Sequence, residues 1–162
     1  SSLVLKGNFP CGRVSRDNDG QAPWLPGKEF QGWTAMCSAL AISKTITHVD
    51  VSECMLGPEA LTPLADAIKV MAAVNRITVD STGDPRNRQT YTLTAGEEVI
   101  NLSSKGLGAA DVNLLAVWLQ RPEVIAALIK VDVSGNSEIG GEGKTALQTA
   151  IQCRQPTIEL VV

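Results

Sequence analysis

The sequence predicts an α/β fold assembled from strand–turn–helix units lying side by side, and three observations carry that expectation. Short alternating apolar runs recur, clearest at Ile46, Val49, Val51 and at Leu128, Val131, Val133. An apolar residue and a glycine recur as a turn, at Leu56-Gly57, Leu107-Gly108 and Ile139-Gly140. Beyond the first two turns the apolar residues fall at identical offsets with helical spacing: Leu61, Leu64, Ala65, Ile68 and Val112, Leu115, Ala116, Leu119. Alternation by two marks a strand with one buried face, and spacing by three and four marks a helix with one buried stripe. Neither can be buried alone, whereas stacked units bury both in one continuous core.

Taken in chain order, Leu3 and Leu5 alternate as a first strand, and residues 8–29 form a polar insertion rich in Pro and Gly that contains Trp24. Met36 and Leu40 precede Val49 much as Leu64 and Ile68 precede Ile77, which places a first helix over residues 30–43. The second helix is expected to start late, with Thr62 as N-cap and Pro63 at its first position, or to kink. A proline inside a longer helix starting at Gly57 would cost about 3 kcal/mol. Val74, Ile77 and Val79 repeat the strand pattern 28 residues after Ile46. Residues 80–98 then replace a helix with a turn-rich run and the alternating segment Thr90–Thr94, which reads as an extra strand or hairpin. Ile100 and Leu102 form the next strand, and Asp111 supplies an acid in the first turn of the next helix, complementing its dipole. Leu147 and Ile151 continue the helical register, and Ile158, Leu160 and Val162 alternate as a last strand.

Ile46, Val49, Val51, Cys54 and Leu56 fit the pattern L-x-x-L-x-L-x-x-N/C-x-L at every position, and Leu128, Val131, Val133, Asn136 and Ile139 fit it with one extra residue. On these residues the chain resembles leucine-rich-repeat proteins of the ribonuclease-inhibitor-like class. The resemblance implies an α/β solenoid over residues 1–162, with a parallel β-sheet on the concave side, helices on the convex side and irregular insertions at about 8–29 and 80–98. It further implies that the Asn or Cys side chain turns inward to bond loop backbone that water cannot reach. Cys54 and Asn136 fit that role, whereas Lys105 and Thr82 depart from it.

The net charge of −3 provides no basic footprint for nucleic acid. Apolar stretches fall short of the roughly 20 residues a membrane span needs, so a soluble, intracellular, cytoplasmic protein is expected. Cys11, Cys37, Cys54 and Cys153 lie far apart without a CxxC or Cys/His cluster, which points to reduced thiols packed in the core and not to a metal site.

Motifs that suggest chemistry are each incomplete. Gly143-Lys144-Thr145 follows a strand as a phosphate-binding loop would, but Glu138 stands where that loop requires its first glycine. Gly106-x-Gly108 lacks the third glycine of a dinucleotide fingerprint, that place being Asp111. Asp17, Asn18, Asp19 and Gly20 resemble the start of a calcium loop whose closing Glu would fall at Pro26. His48, the sole histidine, has no sequence partner for nucleophilic catalysis and is expected to be solvated on a strand. No enzyme activity and no cofactor are therefore expected. A small nucleotide-binding α/β enzyme and a structural subunit of a larger assembly are the alternatives.

Function is instead expected on the outward strand positions: His48, Asp50, Ser52; Arg76, Thr78, Asp80; Asn101, Ser103; Lys130, Asp132, Ser134; and Glu159. Their central column, Asp50, Thr78, Asn101, Asp132, Glu159, is polar and leans acidic. Members of this repeat family generally bind proteins, so the resemblance implies a protein partner with some basic character, held by the concave face and by loops that include Trp24. The same Asp positions also follow a common L-D-L-S pattern of the repeat. Leu3 and Val162 sit in strands at the two ends without a recognisable polar cap, so an excised piece of a parent protein, or end-to-end self-association, is a further expectation.

Overall fold

The computed structural model describes residues 1–11, 30–152 and 157–162, and the backbone of Arg13–Val14 and Leu25–Pro26. Trp24, Cys153 and most of the 8–29 insertion lie outside the described residues.

Strand β1 (Ser2–Val4) is followed by the short antiparallel pair β2 (Arg13–Val14) and β3 (Leu25–Pro26), then helix α1 (Phe30–Ala41) and strand β4 (His48–Asp50). Helix α2 (Pro58–Val70) leads to β5 (Arg76–Asp80), β6 (Thr90–Thr94) and β7 (Val99–Asn101). Helices α3 (Ala109–Trp118) and α4 (Pro122–Ile125) precede β8 (Lys130–Asp132), a 3-10 turn at Ser137–Ile139, α5 (Gly140–Gln152) and β9 (Glu159–Val161). β1, β4 and β5 are parallel, in register Leu3–Val49–Ile77. β7, β8 and β9 are parallel, in register Ile100–Val131–Leu160.

The parallel sheet expected from the sequence is not continuous. β6 pairs antiparallel with β5 and closes the first sheet, and β7 opens a second one. The extra strand expected over residues 80–98 is therefore real, and it takes the edge of β5 that a parallel neighbour would need.

Burial follows position in the helix row. α1 packs on α2, α2 on α3 and α3 on α5. The outer helices bury narrow stripes, Trp33, Cys37, Leu40 in α1 and Gly143, Leu147, Ile151 in α5. α3, flanked on both sides, buries Asp111, Val112, Leu114, Leu115, Ala116 and Trp118, so it is apolar nearly all round. One core cluster runs from Cys11 to Ile158 and includes the inward residues of both sheets. Trp33 and Trp118 are core residues, and the Trp33 indole N–H donates to Ala60 C=O at 2.8 Å.

α2 corrects the expected late start. It begins at Pro58 after Gly57 and continues through Pro63. Pro58 loses nothing at the first helical position. Pro63 deprives the Glu59 carbonyl of its intrahelical donor, but Glu59 is exposed and water can take that place.

The turns after β4, β7 and β8 share one backbone path. Glu53, Ser104 and Gly135 occupy the same place, three residues beyond the strand residues Asp50, Asn101 and Asp132, with φ of 57, 53 and 72°. Only glycine adopts that conformation without strain. Ser104→Gly is expected to raise stability by about 0.5–1 kcal/mol, seen as a higher urea midpoint at unchanged m-value. A lower midpoint would contradict the strain.

Candidate functional site

The strand residues that alternate with the buried ones form a polar face. His48, Asp50, Thr78, Asp80, Lys130, Asp132, Ser103 and Ser134 are half-buried on it, and Arg76, Asn101 and Glu159 are exposed. Register aligns His48 with Arg76, Asp50 with Thr78, Asn101 with Asp132, and Lys130 with Glu159. The expected column is thus brought together only as Asp50 with Thr78 on one sheet and Asn101 with Asp132 on the other; Glu159 falls out of it, beside Lys130, and Val161 takes its place next to Asp132.

Much of its polarity is spent on local structure. Asp50 Oδ1 accepts from Ser52 N–H at 3.0 Å and Ser52 Oγ at 2.7 Å. Asn101 with Ser103, and Asp132 with Ser134, repeat the arrangement at the same distances. The Ser134 bonds hold the Asp132 carboxyl below its ordinary pKa. These bonds explain the Asp-x-Ser pattern as a turn device and correct one expectation: Ser52 is not outward but only 2% exposed, folded back onto Asp50. One oxygen of each Asp or Asn does this work, which leaves the charge of Asp50 and Asp132 on the face.

Asp80 is more fully committed. Its Oδ2 accepts from Glu53 N–H at 2.6 Å and its Oδ1 from Thr90 Oγ at 2.7 Å, so it ties the β5 end to the preceding turn and to β6. Thr78 Oγ1 lies 3.1 Å from Thr92 Oγ1, and Lys130 pairs with Glu159 at 3.1 Å. His48 is not the solvated residue expected: it is half-buried, and its Nε2 is out of solvent without a hydrogen-bond partner.

Three groups that the sequence reading missed or undervalued position this face. Asp111, fully buried at the start of α3, accepts from Gly108 N–H at 2.8 Å, Thr82 N–H at 2.8 Å, Thr82 Oγ1 at 2.7 Å and Tyr91 Oη at 2.9 Å. It thereby joins the 80–98 segment to the second sheet's turn. The backbones meet there so closely that a Cβ on Gly83 would lie 2.7 Å from Gly106 O. Thr82, which departs from the Asn/Cys pattern, nonetheless turns inward as Asn136 does. Burial raises the Asp111 pKa above its ordinary value, against the lowering effect of the four bonds.

The second group is Arg121, 6% exposed, which donates to Ile68 C=O at 2.7 Å and Val74 C=O at 2.8 Å and pairs with Glu123. Its guanidinium lies 5.2 Å from the Trp118 ring centroid. The third is Arg88, which donates to Leu56 C=O at 2.8 Å. Both arginines satisfy main-chain carbonyls of the preceding unit, a long-range use that no local spacing signals.

The asparagine and cysteine positions behave as the pattern implies. Asn136 Oδ1 accepts from Leu107 N–H at 2.9 Å, and its amide donates to Leu102 C=O at 2.9 Å and Val133 C=O at 2.7 Å. The Cys54 thiol donates to Leu5 C=O at 3.0 Å. Cys11, Cys37 and Cys54 are buried and unbridged, and burial pushes their thiols up to about 11, 12 and 11. Such thiols are poor nucleophiles.

Gly140–Gly143 forms the first turn of α5. Gly143 faces the core, where a Cβ would meet Ile139 Cγ2 at 2.8 Å, so packing accounts for it. Among the described residues no three His, Cys, Asp or Glu side chains are grouped to hold a metal, and no helix is long and apolar enough to cross a membrane.

No family model matches the chain, and no curated protein matches it. Among solved structures it is similar to the tropomodulin C-terminal domain of Caenorhabditis elegans, at 14% identity and a TM-score of 0.40, over 82% of this chain and 65% of that one.

Proposed function

We propose that the chain is a short leucine-rich-repeat solenoid serving as a protein-recognition scaffold, with the open strand face and its flanking loops as the binding surface. The observation that carries this reading is the face itself. Along the strands Val49, Ile77, Ile100 and Val131 are buried in the core cluster that the helices share, while the aligned polar residues alternating with them stay half-buried or exposed. An uncovered sheet face rich in charge and hydroxyl groups is suited to a broad, wet protein interface. The acidic central positions Asp50 and Asp132 favour a partner with basic groups.

The turn geometry supplies a clean test. Asn101 makes the same two bonds as Asp50 and Asp132, so the double variant Asp50→Asn/Asp132→Asn removes two charges without breaking either turn. Immobilised wild-type chain is expected to retain a protein partner, and the variant to bind it roughly three- to tenfold more weakly with a shallower salt dependence. Equal affinity, with an unchanged melting temperature, removes the two aspartates from the site. Failure of the wild-type chain to retain any protein removes the reading.

A further inference from the structure

The open face is interrupted where the two sheets meet. β6 and β7 are consecutive and joined by residues 95–98 only, yet no ladder joins them. The flanking bonds identify the main-chain groups left facing the break. Ser81 N–H donates to Gln89 C=O, and Ala95 N–H to Asn75 C=O. In an antiparallel ladder this phase makes Tyr91 and Leu93 bond to β5, and Thr90, Thr92 and Thr94 direct their amides to the far edge. On the other side, Leu102 N–H donates to Asp132 C=O and Ile129 N–H to Glu98 C=O. Val99 and Asn101 therefore direct their amides back towards β6.

The two strands form a splayed hairpin. At its open end the Gln89 side chain, and not its main chain, reaches Ser104 C=O at 3.2 Å. Thr90, Val99 and Asn101 are exposed, Thr92 and Thr94 half-buried, and Tyr91, Leu93, Ile100 and Leu102 close the floor. Edges of this kind are normally blunted by lysine, proline or a bulge. Neither Thr90–Thr94 nor Val99–Asn101 contains lysine or proline. At the closed end Glu97 and Glu98 are both exposed.

We propose that the splayed β6/β7 pair is a strand-addition site for an extended segment of a protein partner that carries a basic side chain at the end beside Glu97 and Glu98. Main-chain donors and acceptors supply the affinity, the small Thr and Asn side chains leave the edges accessible, and the acid pair sets the direction of the segment. The proposal rests on the recognition reading above and names its mode.

Amide hydrogen exchange of the whole chain is the first test. Thr92, Thr94 and Asn101 are expected to exchange on the order of a hundredfold faster than Leu93 and Ile100. Equal protection would mean a hairpin closed in solution and would overturn the proposal. The second test selects binders from a phage-displayed library of random 12-residue peptides. Selected peptides are expected to carry Lys or Arg, to protect the Thr92 and Asn101 amides, and to lose tenfold or more in affinity for Thr92→Pro, whose missing N–H is not in the β5 ladder. Glu97→Gln/Glu98→Gln is expected to weaken them severalfold and to serve if the proline variant does not fold. Peptides that leave those amides exchanging, or no selected peptide at all, overturn strand addition. A protein partner that depends on Asp50 and Asp132 yet leaves the amides exchanging would retain the recognition face and sink only this mode.

Discussion

Asp111→Ala is expected to lower the unfolding free energy by about 3–5 kcal/mol in urea denaturation. The carboxylate accepts four hydrogen bonds in a site without solvent, and alanine would strand Thr82 N–H, Thr82 Oγ1, Gly108 N–H and Tyr91 Oη together. Asp111→Asn should cost less than about 1.5 kcal/mol. Its carbonyl oxygen can keep the three donors that meet Oδ2, while the Tyr91 hydroxyl rotates to accept from the amide. Wild type and Asp111→Asn also separate in pH. Burial raises the folded-state pKa of Asp111 above the ordinary 3.8, so the folded chain holds this proton to higher pH than the unfolded chain does. The contribution of this group to stability is therefore greatest below 3.8 and declines as pH rises through the raised value. Asp111→Asn should gain stability relative to wild type across that interval. A difference between wild type and Asp111→Asn that stays flat with pH, or an alanine variant of wild-type stability, would contradict the role assigned to Asp111.

The same residue shows where sequence reasoning stops. Its place in the first helical turn was legible, because an acid there has a local electrostatic reason. Its role as the joint between two sheets was not, because Thr82 and Tyr91 lie 29 and 20 residues away in a segment without repeat spacing. Periodicity disclosed the units, since burial of a strand face and a helix stripe leaves a direct imprint on residue order. It also disclosed the extra strand at Thr90–Thr94. It did not disclose that this strand would run antiparallel and divide the sheet, because alternation is blind to strand direction. On the open face, the outward assignment of Asp50, Asn101 and Asp132 followed from the strand period. That rule fails one step past the strand end, where Ser52 turns onto Asp50. Arg121 was invisible for a further reason: a buried arginine bonded to main-chain carbonyls of another unit has no compositional signature.

Asn136→Ala is expected to cost about 3–4 kcal/mol, and the choice of replacement reveals which of its bonds matter. The side chain combines one acceptor, facing Leu107 N–H, with a two-proton donor facing Leu102 and Val133 carbonyls. Alanine removes both and leaves three main-chain groups buried without water. Aspartate keeps the acceptor but turns a charged oxygen towards two carbonyls, so at neutral pH Asn136→Asp should be at least as destabilising as alanine. Acidification should recover part of that loss, because the protonated carboxyl regains one donor. Cysteine, which fills the equivalent place at Cys54 with a single thiol bond to Leu5 C=O, retains a donor and should fall between asparagine and alanine, at about 2 kcal/mol. The order Asn above Cys above Ala, with Asp lowest at neutral pH and rising in acid, belongs to a donor–acceptor side chain that closes the turn between β8 and α5 onto the unit before it. An order that followed side-chain volume alone would mean that Asn136 merely fills space.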